Sequence, residues 1–309
     1  MSLTRLDIAV CTFRRPQLID TLRSLARLDL RDDVSLRIVV ADNDETPSAK
    51  ALVDGFRAES GLAIVYVHAP ARNICIARNA CLDESDADFL AFIDDDEIAT
   101  PQWASELLRH AGNADVVLGP VRAIYAEDAP GWMRHADSHS TFPVFVGGVI
   151  RTGYTCNVLL RRESPHVKSR RFRLELGQTG GEDTDYFDGV TESGGRIAYA
   201  ENAWVSEDVP ATRARFEWLA KRRFRMGQTH GRLLKTKAGG ARRGVQLCLA
   251  AAKVGYSLLS AGLTAPVAAK RNRNMLRAVM HAGTIGGLLG VKELRLYAQP
   301  APLPAERNS

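Results

Sequence analysis

Residues 89–96, with the sequence FLAFIDDD, place five apolar side chains directly before three aspartates. An apolar run that stops at a cluster of polar residues is typical of a strand buried inside a parallel sheet. The runs LDIAVCT at 6–12 and LRIVVA at 36–41 have the same character, and each is followed by a helical pattern. Together, the three segments predict an α/β fold.

The chain on both sides of this segment alternates between short strands and helices. The alternation implies a mostly parallel sheet with helices on both faces, and such sheets bind ligands beyond the carboxyl ends of their strands. Thr12, Asp42 and Asp94 stand at these ends. The predicted strands are 6–12, 36–41, 63–67, 89–93, 116–118, 155–160 and 196–200, and the predicted helices include 16–28, 48–60 and 73–82.

Two further helix starts follow from local signals. Thr100 and Pro101 are typical of an N-cap and a first helical position, and a basic helical region is expected to begin near Pro210. Between them, residues 126–155 are irregular, with glycine, proline and aromatic side chains, and are interpreted as a binding loop.

Charge divides the chain into two parts. Residues 210–309 contain 19 basic and three acidic residues, a net charge of +16, so the whole-chain value of +5 leaves −11 for residues 1–209. We therefore predict an α/β domain at 1–210 and a basic, amphipathic helical region at 211–309. A basic surface of this kind suits anionic lipid, diphosphate groups or nucleic acid, and a solvated helical cap is the alternative.

Two sequence features bear on the cellular compartment. The five cysteines are scattered and odd in number, which argues against a zinc site or a disulfide framework and favours reduced, buried thiols. The N-terminus has no apolar stretch like that of a signal peptide, so we expect a cytosolic protein. The apolar stretch 244–269 is interrupted by Lys253 and Pro266, which predicts a surface-lying or a buried helix rather than a spanning one.

Asp94, Asp95 and Asp96 are the strongest candidates for chemistry. Three successive carboxylates are costly to crowd together without a cation, and carboxylate oxygens suit Mg²⁺ or Mn²⁺, which in turn neutralise a diphosphate. The alternative is a solvated acidic turn, which the apolar strand before the triplet disfavours.

Two more acidic groups are candidates. Asp42 begins an Asp-Asn-Asp sequence that suits a nucleoside, or else a turn or helix cap. Glu182 and Asp183 follow two glycines that let the backbone approach a ligand closely, and one of these carboxylates can accept a hydroxyl proton. A plain loop leading into a helix is the alternative for this second pair.

Arg222 and Arg223 belong to a dense group of arginines near Trp218 and Phe224. A guanidinium group matches the geometry of a phosphate, so these side chains are candidates for gripping phosphate. A solvated basic helix face is the alternative.

These features together resemble the inverting GT-A glycosyltransferases of family 2, over about residues 5–225. Any one of the motifs is weak, but five in the right order are specific. The segments that carry the resemblance are VCTFRRP at 10–16, VADN at 40–43, NICIARN at 73–79, FIDDD at 92–96 and GED at 181–183.

The resemblance implies a Rossmann-like GT-A sheet and a role for each matching residue. Asp183 would be the general base and Glu182 its neighbour in acceptor binding. Asp94 and Asp96 would hold the ribose and a Mg²⁺ or Mn²⁺ ion, with Asp96 as the direct ligand. The residues expected to contact the nucleotide are Thr12, Arg15, Asp42 at the base, Arg78, Asp94 and Asp95, with Arg222 and Arg223 at the diphosphate.

Two departures from the family pattern refine this expectation. Cys75 stands where the helix motif often has glycine, and the QxxRW motif of the processive members is missing, with KRRFRMG in the comparable region. We therefore expect transfer of a single sugar. The expected donor is a nucleotide-sugar, with a UDP-sugar favoured, and the expected acceptor is a glycan or a lipid-diphosphate-linked glycan used in cell-surface polysaccharide synthesis.

The location expected from this resemblance is peripheral, on the cytoplasmic face of the inner membrane, through contact with anionic lipid and without nucleic acid. Residues 126–155 would then select the acceptor. Two hypotheses from other classes stay open on the sequence alone: a phosphohydrolase of the haloacid dehalogenase type that uses Asp94 and Asp96, and a non-enzymatic basic module that binds membrane or nucleic acid.

Overall fold

The computed structural model describes residues 3–237 and 239–294. Within these residues, twelve strands and nine α-helices form a mixed α/β structure. In chain order they are β1 (Thr4–Thr12), α1 (Leu18–Leu25), β2 (Val34–Asp42), α2 (Lys50–Ser60), β3 (Ile64–His68), α3 (Ile74–Glu84), β4 (Phe89–Asp94), β5 (Glu97–Ala99), α4 (Trp103–His110), β6 (Val116–Leu118), β7 (Val121–Tyr125), α5 (Gly131–Ala136), β8 (Phe145–Val146), β9 (Val149–Ile150), β10 (Asn157–Arg161), α6 (Glu182–Glu192), β11 (Ile197–Tyr199), β12 (Val205–Val209), α7 (Phe216–Lys237), α8 (Gly240–Leu263) and α9 (Ala268–Leu289).

The large sheet has seven strands in the order β11-β6-β10-β4-β1-β2-β3. Strand β10 runs antiparallel to both of its neighbours, and all the other pairs are parallel. In this register Thr12 lies opposite Asp42, and Cys11 lies opposite Asp94. The predicted mostly parallel sheet is therefore confirmed, and its polar strand ends meet at one edge.

The core of the protein lies on both faces of this sheet, because successive side chains of a strand point in opposite directions. Ile8 and Val10 pack against α1, α2 and α4, whereas Ala9 packs against α3 and α6. Trp103 from α4 and Tyr186 from α6 are among the largest fully buried side chains, one on each side. The expected helical cover on both faces is therefore present.

A smaller sheet, β5-β12-β7, stands beside the large one. Strand β12 is parallel to β7 and antiparallel to β5, so the chain directly after the aspartate triplet is tied to residues more than a hundred positions away. The irregular region 126–155 contains helix α5 and the hairpin β8–β9, and Gly147 and Gly148 make the hairpin turn with positive φ angles.

Two predicted helix starts are wrong. Helix α4 begins at Trp103, and the hydroxyl of Thr100 donates a hydrogen bond to the carbonyl of Trp204 at 3.1 Å instead of capping the helix. Helix α7 begins at Phe216, because the carbonyl of Pro210 is used in a turn that accepts from the backbone of Arg213 and Ala214. A tertiary contact overrides the local signal at Thr100, whereas a local turn precedes the helix after Pro210.

The C-terminal part is helical, as expected, and its helices α7 and α9 touch backbone to backbone. Gly227 on α7 and Gly283 on α9 leave no room for a side chain, because a Cβ atom would collide with the carbonyl oxygen of Met280 or of Phe224. Gly231 and Gly287 repeat the contact one turn later. The two helices therefore form a close pair through small residues spaced four apart.

Helix α8 packs against α9 with one face only. Ala250, Ser257 and Ala261 are its buried residues, and the rest of the helix is largely exposed. By length and composition it could cross a membrane, and it is the one helix with this property in the described residues. Its exposure supports the surface-lying alternative over the buried one. Residues 295–309 of the predicted C-terminal region lie outside the described residues.

The cysteines are free thiols, and four of them lie in the interior or partly buried, as expected. The prediction of buried thiols is wrong for Cys248, which is exposed on α8.

Candidate active site

The aspartate triplet is held by the loop that follows β1. Thr12 donates a hydrogen bond from its hydroxyl to Oδ2 of Asp95 at 2.7 Å. The guanidinium of Arg15 lies 3.1 Å from Oδ2 of Asp96 and 3.9 Å from Oδ1 of Asp95. The neighbouring carboxyl ends of β1 and β4 bring these residues together, so the expected grouping of Thr12 and Arg15 with the triplet is present.

Asp94 forms a second cluster with Glu97 and Cys156, in which Glu97 is the buried member. A ligand atom from each of these residues lies within 4.8 Å of the others, and the backbone N–H of Asp94 donates to Oε2 of Glu97 at 3.0 Å. Burial raises the pKa of Asp94 to about 8 and the pKa of Asp95 to about 6, and burial also raises that of Glu97 well above its usual range. Negative charge is therefore unfavourable here in the absence of a cation.

This donor set fits a hard divalent cation. Asp94, Asp96 and Glu97 offer carboxylate oxygens, which Mg²⁺ and Mn²⁺ prefer. The thiol of Cys156 is a weaker candidate ligand, since burial raises its pKa and keeps it protonated. Asp94 belongs to the buried cluster as well as to the triplet, whereas Asp96 lies outside that cluster and pairs with Arg15.

Asp42 differs from the expectation. Its carboxylate has no exposed surface and accepts three hydrogen bonds, from the backbone of Asp44 and Ala49 and from the hydroxyl of Tyr66, at 2.8–3.0 Å. These contacts shape the β2–α2 loop and leave Asp42 inside the protein. The carboxylate that lines the adjacent cavity is that of Asp44.

This cavity has a volume of about 390 Å³ and lies between the loops after β1 and β2. Arg14 adopts a left-handed backbone conformation, with φ of 53°, and its Nε donates to Oδ2 of Asp44 at 2.8 Å. That hydrogen bond lowers the pKa of Asp44 to about 2, so its charge is retained across the physiological range. The lining residues are Arg14, Arg15, Pro16, Asp44, Thr46, Ser48, Ala49 and Leu52.

Arg78 lies between the two acidic residues at the start of α6. Its Nη1 donates to Oε1 of Glu182 at 2.8 Å and to Oδ1 of Asp183 at 2.7 Å, and its guanidinium lies over the ring of Phe172. Burial alone would lower the pKa of Arg78, but the two carboxylates outweigh it and raise the pKa. In this arrangement Arg78 faces the acidic pair, whereas the family resemblance places it at the nucleotide.

Asp183 is held on its other side by Thr155. The hydroxyl of Thr155 donates to Oδ1 of Asp183 at 2.9 Å, and its backbone N–H donates to Oδ2 at 3.3 Å. Burial raises the pKa of Asp183, while Arg78 and Thr155 act in the opposite direction. The carboxylate is therefore fixed in orientation and more basic than an exposed aspartate.

Comparison with known proteins identifies the family of the chain. The family model "Glycosyl transferase family 2" matches residues 7–166. Over 294 residues, the chain is 56% identical to the "Succinoglycan biosynthesis protein ExoM" of Rhizobium meliloti (strain 1021), with 94% of this chain and 95% of that protein covered. The chain belongs to glycosyltransferase family 2. It is a glycosyltransferase, and the phosphohydrolase and non-enzymatic hypotheses find no support.

Solved structures with the same fold support the GT-A architecture. One is "Mannosyltransferase PcManGT from Pyrobaculum calidifontis in complex with GDP-Man and Mn2+", with a TM-score of 0.62, 16% identity, and coverage of 92% of this chain and 86% of that one. Another is S. aureus TarS 1-349 in complex with UDP-GlcNAc, with a TM-score of 0.51, 14% identity, and coverage of 91% and 92%. Against the longer TarS chain, the chain spans 43% of the length.

The candidate site has β12 and α7 on one side. Glu207 on β12 accepts a hydrogen bond from Arg213 at 2.6 Å. Burial raises the pKa of Glu207, and the charge of Asp96 raises it further, while Arg222 lowers it. Arg222 lies over the ring of Trp218 at 5.3 Å, and its effect on the pKa of Glu207 places its charge near that carboxylate.

Arg223 is less clearly part of the site. Burial lowers its pKa, and Arg222 lowers it further. The charge of Arg223 also contributes to lowering the pKa of the buried His139 imidazole. That pKa is about 4, chiefly because of burial. Within the described residues, no direct contact joins Arg223 to the aspartate triplet.

Four residues of this site are absent from the sequence-based prediction. Glu97 directly follows the triplet, and Asp44 closes the Asp-Asn-Asp sequence, so both carried a signal in their position. Thr155 and Glu207 carried none, because they reach the site through pairing and packing with residues distant in the sequence.

Proposed function

We propose that this glycosyltransferase transfers one sugar, with inversion at the anomeric carbon, from a nucleotide-sugar to a glycan or a lipid-diphosphate-linked glycan. The observation that carries this proposal is the carboxylate of Asp183, which Thr155 and Arg78 hold at the same sheet edge as the aspartate triplet. The relative named for succinoglycan biosynthesis supports a role in the synthesis of an exopolysaccharide of this class.

The donor would occupy the cavity between the loops after β1 and β2. Asp44 and Arg15 line this cavity, and the guanidinium of Arg15 also lies 3.1 Å from Oδ2 of Asp96, which connects the cavity to the aspartate triplet. We assign base recognition to the loop of Asp42 and Asp44, in which Asp44 lines the cavity and Asp42 holds the loop through its hydrogen bonds. A UDP-sugar is the favoured donor, and the TarS complex with UDP-GlcNAc supports this choice by fold alone.

In the transfer step, a hydroxyl oxygen of the acceptor forms a bond to the anomeric carbon, and the bond to the diphosphate oxygen breaks. Asp183 accepts the hydroxyl proton as the new bond forms. Arg78 and Thr155 keep the carboxylate oriented, and Glu182 contributes its second oxygen, Oε2, which has no hydrogen-bond partner within the described residues. We propose that Oε2 of Glu182 accepts a hydrogen bond from the acceptor substrate.

A divalent cation, Mg²⁺ or Mn²⁺, fits the oxygen ligands of Asp94 and Asp96, with Glu97 as an additional candidate. When bound, it supplies positive charge that offsets the charge on the departing diphosphate. The Mn²⁺ in the PcManGT structure supports this assignment. Arg15 lies beside Asp96, and Arg222 lies on the same side, so both can add positive charge next to the diphosphate.

The enzyme is proposed to work peripherally on the cytoplasmic face of the inner membrane, without nucleic acid as a partner. The net charge of +16 on residues 210–309 supports attraction to anionic lipid, where each basic residue near the surface contributes about 1 kcal/mol. A lipid-linked acceptor would be presented at that surface.

The variant Asp183→Asn tests this function. It removes the proton acceptor and keeps the shape of the side chain, so we expect transfer to fall by about 10²–10⁴-fold while nucleotide-sugar binding is retained. Binding is measured as thermal stabilisation by UDP-sugars with Mn²⁺. Asp185→Asn on the same helix is the matched control and should transfer normally. Near-normal turnover of Asp183→Asn would remove this residue from the role.

A further inference from the structure

Helix α8 carries a continuous apolar surface that nothing in the described structure covers. Six residues at helical spacing form it: Val245, Leu249, Ala252, Tyr256, Leu259 and Leu263. The large ones are strongly exposed, up to 70% for Tyr256 and 77% for Leu263. We name these six residues the α8 stripe. It spans 19 residues, or about 27 Å of helix between the first and the last.

The α8 stripe lies opposite the face that packs on α9. Ala250, Ser257 and Ala261 occupy that inner face, so the helix is anchored to the protein through small residues and turns its large side chains outward. Soluble proteins rarely leave such an apolar surface uncovered unless it binds something.

The surroundings of the stripe are positively charged. Residues 218–292 contain 15 basic residues and no acidic one. Arg242 and Lys253 lie on α8 itself, and Lys270, Arg273 and Arg277 are exposed on α9. An apolar helix face bordered by lysine and arginine matches a surface made of anionic headgroups above acyl chains.

We propose that helix α8 lies in the plane of an anionic membrane with the α8 stripe inserted among the acyl chains. This proposal rests on the proposed membrane contact and identifies the residues that make it. A second copy of the chain is a poorer occupant, since it would bring two strongly basic regions face to face. A spanning orientation is also disfavoured, because it would pull α8 off the inner face that packs on α9.

Cys248 gives a direct test, because it is the exposed cysteine on α8 and lies beside the stripe. The full chain is labelled there with an environment-sensitive fluorophore and mixed with vesicles of phosphatidylcholine, with or without phosphatidylglycerol. We expect a blue shift and co-flotation with the anionic vesicles only. Cys248→Ser gives the background labelling of the other thiols.

Leu259→Glu with Leu263→Glu should lower the floated fraction by about tenfold or more, since it places two charges in the acyl region. Leu3→Glu, at an exposed leucine outside the C-terminal helices, is the matched control and should float normally. Unchanged flotation of the double variant would overturn the proposal. A blue shift that grows with protein concentration in the absence of vesicles would also overturn it, in favour of a second copy.

Depth measurements separate the two membrane orientations. A label at Cys248 and one at Leu259→Cys, in a Cys248→Ser background, lie about 16 Å apart along the helix. Lipids with quenchers at shallow and deep acyl positions should report equal depth for both labels. A depth difference close to the full separation would indicate a spanning helix and contradict the proposal.

Thermal stabilisation by UDP-sugars is measured on the same variants. Retained donor binding with lost flotation would support the α8 stripe and leave the proposed transfer reaction intact. Absence of donor binding in the wild type would count against the proposed reaction, whatever the vesicles show.

Discussion

Arg78 is the most constrained charged residue of the site, since it contacts both Glu182 and Asp183 through a single nitrogen. A buried arginine in this position has two effects. It neutralises a pair of carboxylates that would otherwise repel each other, and it fixes the rotamer of the proposed base. Its influence on Asp183 should therefore appear in the pH dependence of the reaction as well as in its rate.

We predict that Arg78→Met moves the acidic limb of kcat/KM to higher pH. The positive charge of Arg78 lowers the pKa of Asp183, so its loss raises that pKa and a higher pH is needed to ionise the base. Activity near neutral pH should fall by about tenfold or more. The measurement is a pH–rate profile with donor and acceptor at fixed concentrations.

Arg78→Lys keeps the positive charge and serves as the control. We expect it to move the acidic limb of kcat/KM by less than Arg78→Met does. Thr155→Val gives a second route to the same question, because it removes a hydrogen bond that also lowers the pKa of Asp183. An acidic limb at the wild-type pH in Arg78→Met would show that Arg78 does not set the ionisation of the base.

Individual residues also show which features of the site could not be inferred from the sequence. The five motifs could be placed from the sequence because each stands at a strand or helix end, and the roles of their residues stay predictions. The partner of each side chain did not follow from the motifs. Arg78 and Asp183 are 105 positions apart. Asp42 points inward because its carboxylate accepts hydrogen bonds from Tyr66 and from the backbone of Ala49, just before α2.

At the scale of elements, the α7–α9 pair depends on glycines where the two backbones approach each other. We predict that Gly283→Ala destabilises the fold by about 1–3 kcal/mol, because the added methyl group would collide with the backbone carbonyl of Phe224. Urea unfolding measures the effect. Neither helix can yield easily, since the colliding atom belongs to the backbone.

Gly255→Ala in the middle of α8 is the matched control. No atom lies within 4 Å of the added Cβ, so the greater helix propensity of alanine should stabilise the protein by up to about 1 kcal/mol. Equal effects of the two substitutions would mean that the α7–α9 contact is looser than described.

Element types were predictable for the sheet, because β1, β2 and β4 are apolar runs that are too short for buried helices and end at polar residues. The antiparallel direction of β10 and the small sheet β5-β12-β7 were not, since strand direction depends on connections rather than on composition. Helix α7 begins later than expected for a different, local reason, because the carbonyl of Pro210 accepts hydrogen bonds in a turn.

At the scale of the whole molecule, His139 joins the catalytic part to the basic helices. Its Nε2 donates to the carbonyl of Arg213, and its Nδ1 accepts from the hydroxyl of Tyr125, while the ring stacks on Trp218. Burial lowers its pKa to about 4, with the charges of Arg222, Arg213 and Arg223 acting in the same direction. In the folded protein the imidazole of His139 is therefore neutral.

This pKa predicts a stability contribution that is fully present above pH 6.5 and is lost as the pH falls from 6.5 towards 4. Below 6.5 the unfolded chain takes up a proton that the folded one does not, at a cost of up to about 3 kcal/mol. His139→Gln should flatten the unfolding free energy across this window. His135→Gln, at an exposed position on α5, should leave the profile unchanged, and an unchanged slope in His139→Gln would contradict the prediction.

The division at residue 210 was a compositional prediction, and it stays one. The structure nevertheless joins the two parts at several points: Arg225 donates to the carbonyl of Thr179 at 3.2 Å, and Lys237 pairs with Asp188 and Glu192 on α6. Charge asymmetry is visible in a sequence, but these contacts depend on the path of the folded chain.

The order of the last three helices has a practical consequence for preparing the protein. Helix α8 lies between α7 and α9 in the sequence, yet α7 and α9 are the pair in backbone contact, and α7 supports the start of α6, where Asp183 lies. A C-terminal truncation that removes the apolar helix α8 would also delete α9. A better-behaved sample should instead come from polar substitutions at outward positions such as Leu259 and Leu263, with Ala250 and Ala261 unchanged.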